Sequence, residues 1–235
     1  MNASVIVQRS NFEHRFFVAT SLAVLLLVFV GFAHTYFLKF LFADAPVLTP
    51  LVHLHGALMS AWFVLIVAQT CLVARHRVDW HRRLGVVGVA IAIGIVAIAP
   101  IVLLGATARE LRAPDGNRFF YVIFAVDAVV IADFAIFVAT AIAMRRRTDV
   151  HKRLMLLATA SIVLPALGRL PLSLFAIWTL FYACVLVPVA IDTWRHRRLH
   201  AAFGWGAPAL LASQHLAFLG AQTASWTAFV DRLFA

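Results

Sequence analysis

The sequence predicts an all-α polytopic membrane protein, a bundle of seven transmembrane helices with the N-terminus inside, the C-terminus outside and a repeated helical hairpin. Three observations predict this class. Of the 235 residues, 63% are hydrophobic and only 13% are charged, whereas soluble domains carry about 25% charged residues. Long uncharged stretches recur along the chain, and short basic runs separate them. This composition excludes an ordinary soluble domain, a disordered chain and a disulfide scaffold.

The charged residues bound the predicted spans. About 20 residues cross a bilayer, and backbone groups in lipid must pair within their own segment, so each span is expected to be a helix. The stretch Leu154–Ile191 contains one charge, Arg169, and divides into two spans at the turn Gly168–Pro171. The whole chain, 1–235, is then one membrane domain, with spans at about 16–38, 51–74, 84–106, 119–144, 154–169, 171–191 and 201–222.

Basic residues predict the orientation. With the N-terminus inside, 14 of the 20 Lys and Arg residues lie on the cytoplasmic side and six lie elsewhere, as the positive-inside rule requires. The tail 224–235 is predicted to be a short interfacial helix. We expect the bacterial inner membrane as the location and the lipid bilayer as the main partner. Nucleic acid is not an expected partner of this +10 chain, because its basic residues lie in short runs between spans.

Two predicted cytoplasmic turns share a sequence pattern. Arg77–Leu84 (RVDWHRRL) recurs 70 residues later as Arg147–Leu154 (RTDVHKRL), so the spans around these turns form related hairpins. One interpretation is structural: Asp79 and Asp149 are the N-caps of spans three and five, while the histidines and basic residues lie at the lipid headgroups.

The other interpretation makes these turns a cofactor site. Six-coordinate haem iron takes two axial ligands, and His81 and His151 would face one another across the hairpins as that pair. Neighbouring basic side chains would then pair with the haem propionates, namely Arg82, Arg83, Lys152 and Arg153. Both interpretations remain open at this point.

A second group of polar residues lies inside the predicted spans, toward the outer side. Charged groups at such depths cost about 2.5–3.5 kcal/mol each on insertion scales, so they normally face the bundle interior and serve a function. The candidate metal ligands are His53, His55, His34, His215 and Asp127, and the other buried polar residues are Asp133, Arg169, Gln69 and Trp62. Imidazole with a carboxylate suits iron, copper or zinc.

Helical spacing separates some of these residues. His53 and His55 are two residues apart, about 200° around a helix, so we expect them to point to different environments. Trp62 and Gln69 continue the His55 face at seven-residue steps. Asp133 lies near the middle of span four, and the sequence identifies no partner for it.

Motifs of several other chemistries are absent from the sequence. It contains no HExxH, GxSxG or P-loop, and no paired-histidine pattern of the membrane desaturases. The last span has no lysine to hold retinal and no second histidine four residues from His215. Hydrolytic chemistry is therefore not expected.

Four segments carry a resemblance to known proteins. VHLHGALMSAWFVLIVAQT (52–70), DWHRRLG (79–85), DVHKRLMLLATAS (149–161) and GRLP (168–171) resemble a group of uncharacterised bacterial multi-pass membrane proteins with HxHG, HRRLG and HKRLM segments. This resemblance implies the fold and favours His53, His55, His81, His151 and Arg169 as site residues. The histidine–basic segments are similar, more weakly, to those of transmembrane b-type cytochromes.

Three functions follow as alternatives. The first is a membrane oxidoreductase that binds haem b or a metal and moves electrons, with a quinone, another small molecule or other membrane subunits as partners. The second is a non-haem metalloenzyme at the outer face. The third is a proton-coupled transporter or an assembly factor, in which Asp127, Asp133 and Arg169 are the relay and the prolines Pro165, Pro171 and Pro188 mark breaks in the helices.

Overall fold

The computed structural model describes residues 3–42, 47–114 and 116–235, with side chains from residue 12 onward, so the side chain of Arg9 lies outside the description. The described residues are helical and contain no strand. The helices are α1 (Ala3–Phe32), α2 (Pro50–Ala74), α3 (Val78–Arg112), α4 (Phe120–Ala143), α5 (Thr148–Ser161), α6 (Leu164–Leu167), α7 (Leu174–His196), α8 (Ala201–Gly220) and α9 (Ala224–Phe234).

Six of the described segments are long and apolar enough to cross a membrane by length and composition, so the chain is a membrane protein. They are Phe12–Phe37, Pro50–Ala74, Val78–Arg112, Phe120–Ala143, Thr148–Leu167 and Leu174–His196. Large apolar side chains lie fully open on their surfaces, as lipid contact requires: Phe175 is 81% exposed and Val86 72% exposed.

The predicted division of the long fifth stretch is confirmed. Helix α6 ends at Leu167 and α7 begins at Leu174, where the Ser173 hydroxyl caps the backbone N–H of Ala176. A further interruption lies at Pro165, one of the breaks that the transporter alternative predicts, whereas Pro188 lies inside α7 and does not interrupt it. α5 ends at Ser161 and α6 begins only at Leu164, because Pro165 has no N–H and its ring disfavours a continuous helix.

The predicted N-caps are wrong. Helix α5 begins at Thr148, its N-cap position is Arg147 with no side-chain capping bond, and Asp149 is its second residue. Asp79 is likewise the second residue of α3. The reason is that helical bonding starts two residues earlier than predicted: the backbone N–H groups of His81 and His151 donate to the carbonyls of Arg77 and Arg147, at 3.0 and 2.9 Å.

The chain divides into two compact units. The first comprises Met1–Ile95 and Ala166–Pro171. In it, α1 packs on α2, and the Ser21 and Thr70 hydroxyls meet at 3.0 Å. Small residues allow close approach within this unit: a side chain at Gly31 would collide with the carbonyl of Ala166.

The second unit comprises Val96–Pro165 and Leu172–Ala235. Helices α4, α5 and α8 pack together around its core, where Phe134, Leu157 and Leu210 are fully buried. The predicted terminal helix exists as α9. It lies on the start of α4, because the Trp226 indole donates to the carbonyl of Tyr121 at 2.9 Å and the Tyr121 hydroxyl bonds Asp231.

Candidate functional site

In the first unit, the end of α1 places an aromatic side chain on the start of α2. A π-helical turn, Ala33–Phe37, continues α1, and such turns occur often at functional sites. It carries Tyr36, whose hydroxyl donates to the carbonyl of His53 at 3.1 Å and whose ring lies 5.9 Å from the His53 ring. Gly56 makes room for Tyr36, since a Cβ there would enter the phenol ring.

His53 and His55 lie in different environments, as their spacing predicts. His53 is exposed beside Tyr36, whereas His55 is half-buried. The Nδ1 atom of His55 is buried and has no hydrogen-bond partner among the described residues. In the same unit, the guanidinium of Arg169 lies 4.3 Å from the centre of the Phe32 ring.

The remaining candidate metal ligands are distributed over both compact units. His34, in the first unit, is exposed, and its ring lies 4.4 Å from that of Phe42. Asp127 and His215 belong to the second unit, and both are half-buried. The Nδ1 atom of His215 lies 3.0 Å from the Tyr182 hydroxyl, so one of its two ring nitrogens has a protein partner.

The second unit holds two further polar groups. The first, which we call the Asp133 cluster, consists of Asp133, Ser161, Ser213 and Gln214. It supplies the partners of Asp133 that the sequence did not identify: Oδ2 accepts from the Ser213 hydroxyl at 2.8 Å and from the Gln214 Nε2 at 3.3 Å. Gln214 also donates to the carbonyl of Ser161 at 2.9 Å.

The second group, the Arg153 cluster, consists of Asp149, Arg153, Asp192, His196 and His200. Arg153 is only 3% exposed and forms a two-pronged pair with Asp192, with Nε at 3.0 Å and Nη2 at 2.8 Å from the two carboxylate oxygens. Its Nη1 donates to the carbonyl of Asp149 at 2.7 Å. His196 Nδ1 lies 2.8 Å from the carbonyl of Asp192, and His200 Nε2 lies 3.1 Å from the Asp149 carboxylate.

This geometry bears on the predicted propionate partners. The guanidinium of Arg153 is committed to Asp192 and Asp149, which leaves little of it for an external carboxylate. Arg82 and Arg83 are exposed, and Arg83 lies 5.6 Å from the centre of the Trp80 ring. Lys152 is half-buried.

The two histidines of the repeat occupy equivalent positions. His81 and His151 are each the fourth residue of their helices, and each backbone N–H begins the helical bonding. The Nδ1 atom of His151 lies 2.8 Å from the carbonyl oxygen of Ala141, at the end of α4. A carbonyl can only accept, so in the neutral ring Nδ1 carries the proton and Nε2 carries the lone pair.

The face that continues from His55 is partly buried. Trp62 is 1% exposed, and Gln69 is half-buried with its Oε1 atom lacking a hydrogen-bond partner among the described residues. These side chains lie along α2 as the seven-residue spacing predicts.

Sequence reasoning did not identify several residues of these groups. Ser213 and Gln214 directly precede His215, and Asp192 lies one residue beyond the predicted sixth span. A usable signal was present: Arg153 and Asp192 carry opposite charges and both lie at the predicted cytoplasmic ends of their spans. Tyr36 and Tyr182 carried no comparable signal.

No protein-family model, curated protein or solved structure matches this chain. The resemblance to bacterial multi-pass proteins therefore stays a prediction. The function of the chain must follow from its own residues.

Proposed function

We propose that the chain is an integral membrane oxidoreductase or electron carrier that binds a redox cofactor, haem b or a transition metal, through its histidines. The single observation that carries the proposal is the bond between His151 Nδ1 and the carbonyl of Ala141. Histidines that bind metals almost always donate the other ring N–H to a carbonyl or carboxylate, which orients the ring and fixes the tautomer. His151 has this arrangement.

The repeat extends the argument to a second histidine. His81 stands at the same helical position as His151, after the same RxD segment. Histidine is a usual axial ligand of haem iron, so each of the two imidazoles is a candidate ligand. The bound iron would supply one-electron chemistry, and the bond from Nδ1 to the carbonyl of Ala141 would orient the His151 ring.

The proposed topology has seven spans, with the N-terminus inside and the C-terminus outside in a bacterial inner membrane. Helix α8 is the seventh span, since its 20 residues extend about 30 Å, the thickness of the hydrocarbon core. Ser213 and Gln214 lower its hydropathy, but both bond Asp133 inside the second unit, and Gln214 is fully buried there. A reporter fused to the C-terminus should be active only outside the cytoplasm.

Absorption spectroscopy of the protein purified from membranes tests the proposed cofactor. We expect a Soret band with sharp bands on reduction, and we expect His151→Ala and His81→Ala each to abolish or shift it. His76→Asn is the matched control, because His76 is an exposed histidine of the turn before α3 and asparagine tolerates its φ of 58°.

Two results would contradict the haem assignment. A protein without a Soret band that holds stoichiometric iron, copper or zinc would assign a non-haem metal instead. A protein that holds neither haem nor metal would leave the His151–Ala141 bond as a purely structural contact between α4 and α5.

A further inference from the structure

The Asp133 cluster lies at the interruption between α5 and α6. Pro165 has no N–H, so the carbonyl of Ser161, four residues earlier, cannot receive the usual helical bond from it. The Nε2 atom of Gln214, on α8, donates to this carbonyl at 2.9 Å. A neighbouring helix thus satisfies the backbone at the interruption, as membrane interiors require.

The same two contacts fix the orientation of the Gln214 amide. Its Nε2 group donates both to the carbonyl of Ser161 and to the carboxylate of Asp133, and both atoms can only accept when Asp133 is ionised. The amide oxygen must therefore be the remaining atom. Gln214 is 0% exposed, and this Oε1 atom has no hydrogen-bond partner among the described residues.

A buried acceptor without a donor is costly, and each such atom in a native structure calls for an explanation. The Asp133 carboxylate, which accepts from the same Gln214 amide, is half-buried inside a predicted span. A charge at that depth is costly as well. The Ser213 hydroxyl has two acceptors within reach of its proton, Asp133 Oδ2 at 2.8 Å and the carbonyl of Leu210 at 3.0 Å, so the lone pairs of its oxygen are not used by either. Asp133, Ser213 and Gln214 are thus linked by hydrogen bonds, and Gln214 links them to the backbone at the interruption.

We propose that this cluster binds a small monovalent cation, with Na⁺ as the reference ion, through oxygens of Asp133, Ser213 and Gln214. A cation would neutralise the carboxylate and would give the Gln214 oxygen the positive partner that it lacks. Hard oxygen donors without sulfur or imidazole suit alkali and alkaline-earth ions. One carboxylate balances one positive charge, which favours a monovalent ion in a low-dielectric interior.

The site resembles no cofactor site proposed above and is independent of haem binding. Interrupted helices whose backbone is satisfied by polar groups of neighbouring helices are the usual setting of ion sites in membrane transporters. The proposal therefore adds a cation-dependent step to this protein, whatever its redox cofactor.

Thermal unfolding of the full chain in detergent, followed by tryptophan fluorescence, tests the proposal. NaCl, KCl and LiCl are titrated against choline chloride at constant ionic strength. We expect Na⁺ to raise Tm along a saturable curve, by about 5 °C or more at a hundredfold excess over Kd, and choline to leave it unchanged. Asp133→Asn, which keeps the size of the side chain, should abolish this shift.

A pair of serine variants provides the matched control. Ser213→Ala should weaken Na⁺ binding about tenfold, because one oxygen ligand is lost. Ser173→Ala should leave Na⁺ binding unchanged, since Ser173 is not a member of the cluster and its hydroxyl caps α7 at the backbone N–H of Ala176. This pair also keeps the proposal testable if Asp133→Asn does not fold.

Several outcomes would overturn the proposal. One is equal Tm values in Na⁺, K⁺, Li⁺ and choline, and another is an undiminished Na⁺ shift in Asp133→Asn. Stabilisation by acid alone would assign a proton to Asp133 instead of a metal cation. A larger shift with Mg²⁺ or Ca²⁺ than with Na⁺ would contradict the monovalent assignment.

Discussion

The two copies of the RxDxH[RK]RL segment place equivalent arginines in opposite environments. Arg83 and Arg153 are 70 residues apart and hold the same position in the repeat. Arg83 is exposed and lies near the ring of Trp80. Arg153 is 3% exposed, forms a two-pronged pair with Asp192 and lies 5.8 Å from the ring of Phe203. A shared sequence pattern thus sets the helical position of a residue but not its burial.

The difference comes from residues outside the repeat. Asp192, on α7, and Phe203, on α8, have no part in the repeated segment, yet both contact Arg153. The second copy also begins the most buried candidate span. In an apolar stretch of 18 residues in the α5–α6 segment, 67% of the residues are buried, against 22% in the corresponding stretch of α3. A buried guanidinium needs a charged partner, and α7 supplies it. Helix α5 can therefore be less hydrophobic than its neighbours, because it faces protein rather than lipid.

The largest expected effect separates the two arginines directly. Arg153→Met should lower the free energy of unfolding by about 3–5 kcal/mol, because it leaves the Asp192 carboxylate buried without its partner. Arg83→Met should change it by no more than about 0.5 kcal/mol, as exposed substitutions usually do. Unfolding in mixed micelles, titrated with SDS, measures both. Equal costs would show that the two copies do not differ as described.

A double substitution sharpens the same comparison. Asp192→Leu alone should lower the free energy of unfolding about as much as Arg153→Met, since it leaves the buried guanidinium of Arg153 without its charged partner. Arg153→Met with Asp192→Leu should recover most of the loss, because replacing a whole buried ion pair with apolar residues is often neutral or stabilising. The SDS titration measures the coupling energy. A double variant as unstable as the sum of its single variants would show that Arg153 and Asp192 act separately.

Much of the fold could be predicted from uncharged length alone. Six of the predicted spans, the break at Gly168–Pro171 and the terminal helix follow from the positions of charges, glycine and proline, because bilayer thickness imposes a minimum apolar length. The start of α5 could not be placed to the residue, since an acidic residue fits both an N-cap and a first turn. The predicted bounds of the fifth span did not include the interruption after Ser161, because they were drawn from charges alone, although the transporter alternative named Pro165 as a break.

The candidate sites were less predictable, because they depend on contacts between helices. Sequence spacing predicted that His53 and His55 would differ, since both lie on one helix with a known angle between them. It could not show that Gln214 would bridge Asp133 and Ser161, because these residues belong to three helices whose relative rotation no periodicity specifies. For the same reason, the sequence could not show that Asp192 is the partner of Arg153.

The smallest expected effect concerns the acids of the two repeats. Asp79→Ala and Asp149→Ala should each cost about 0.3–1 kcal/mol, the usual value of a negative side chain in a first turn, rather than the loss of up to about 2 kcal/mol that follows removal of an N-cap. Asp149→Ala should cost slightly more, because its carboxylate also contacts His200 Nε2, although the 61% exposure of Asp149 limits that contact to less than about 1 kcal/mol.

A change at His200 isolates this extra cost. His200→Asn removes the Nε2 contact but keeps a side chain that can cap α8 as His200 does, through the backbone N–H of Ala202. In that background Asp149→Ala should cost no more than Asp79→Ala, and the SDS titration compares the two. If Asp79→Ala instead costs about 2 kcal/mol, then Asp79 caps α3 in solution, and the two copies of the repeat differ at the start of the helix as well as at the arginine.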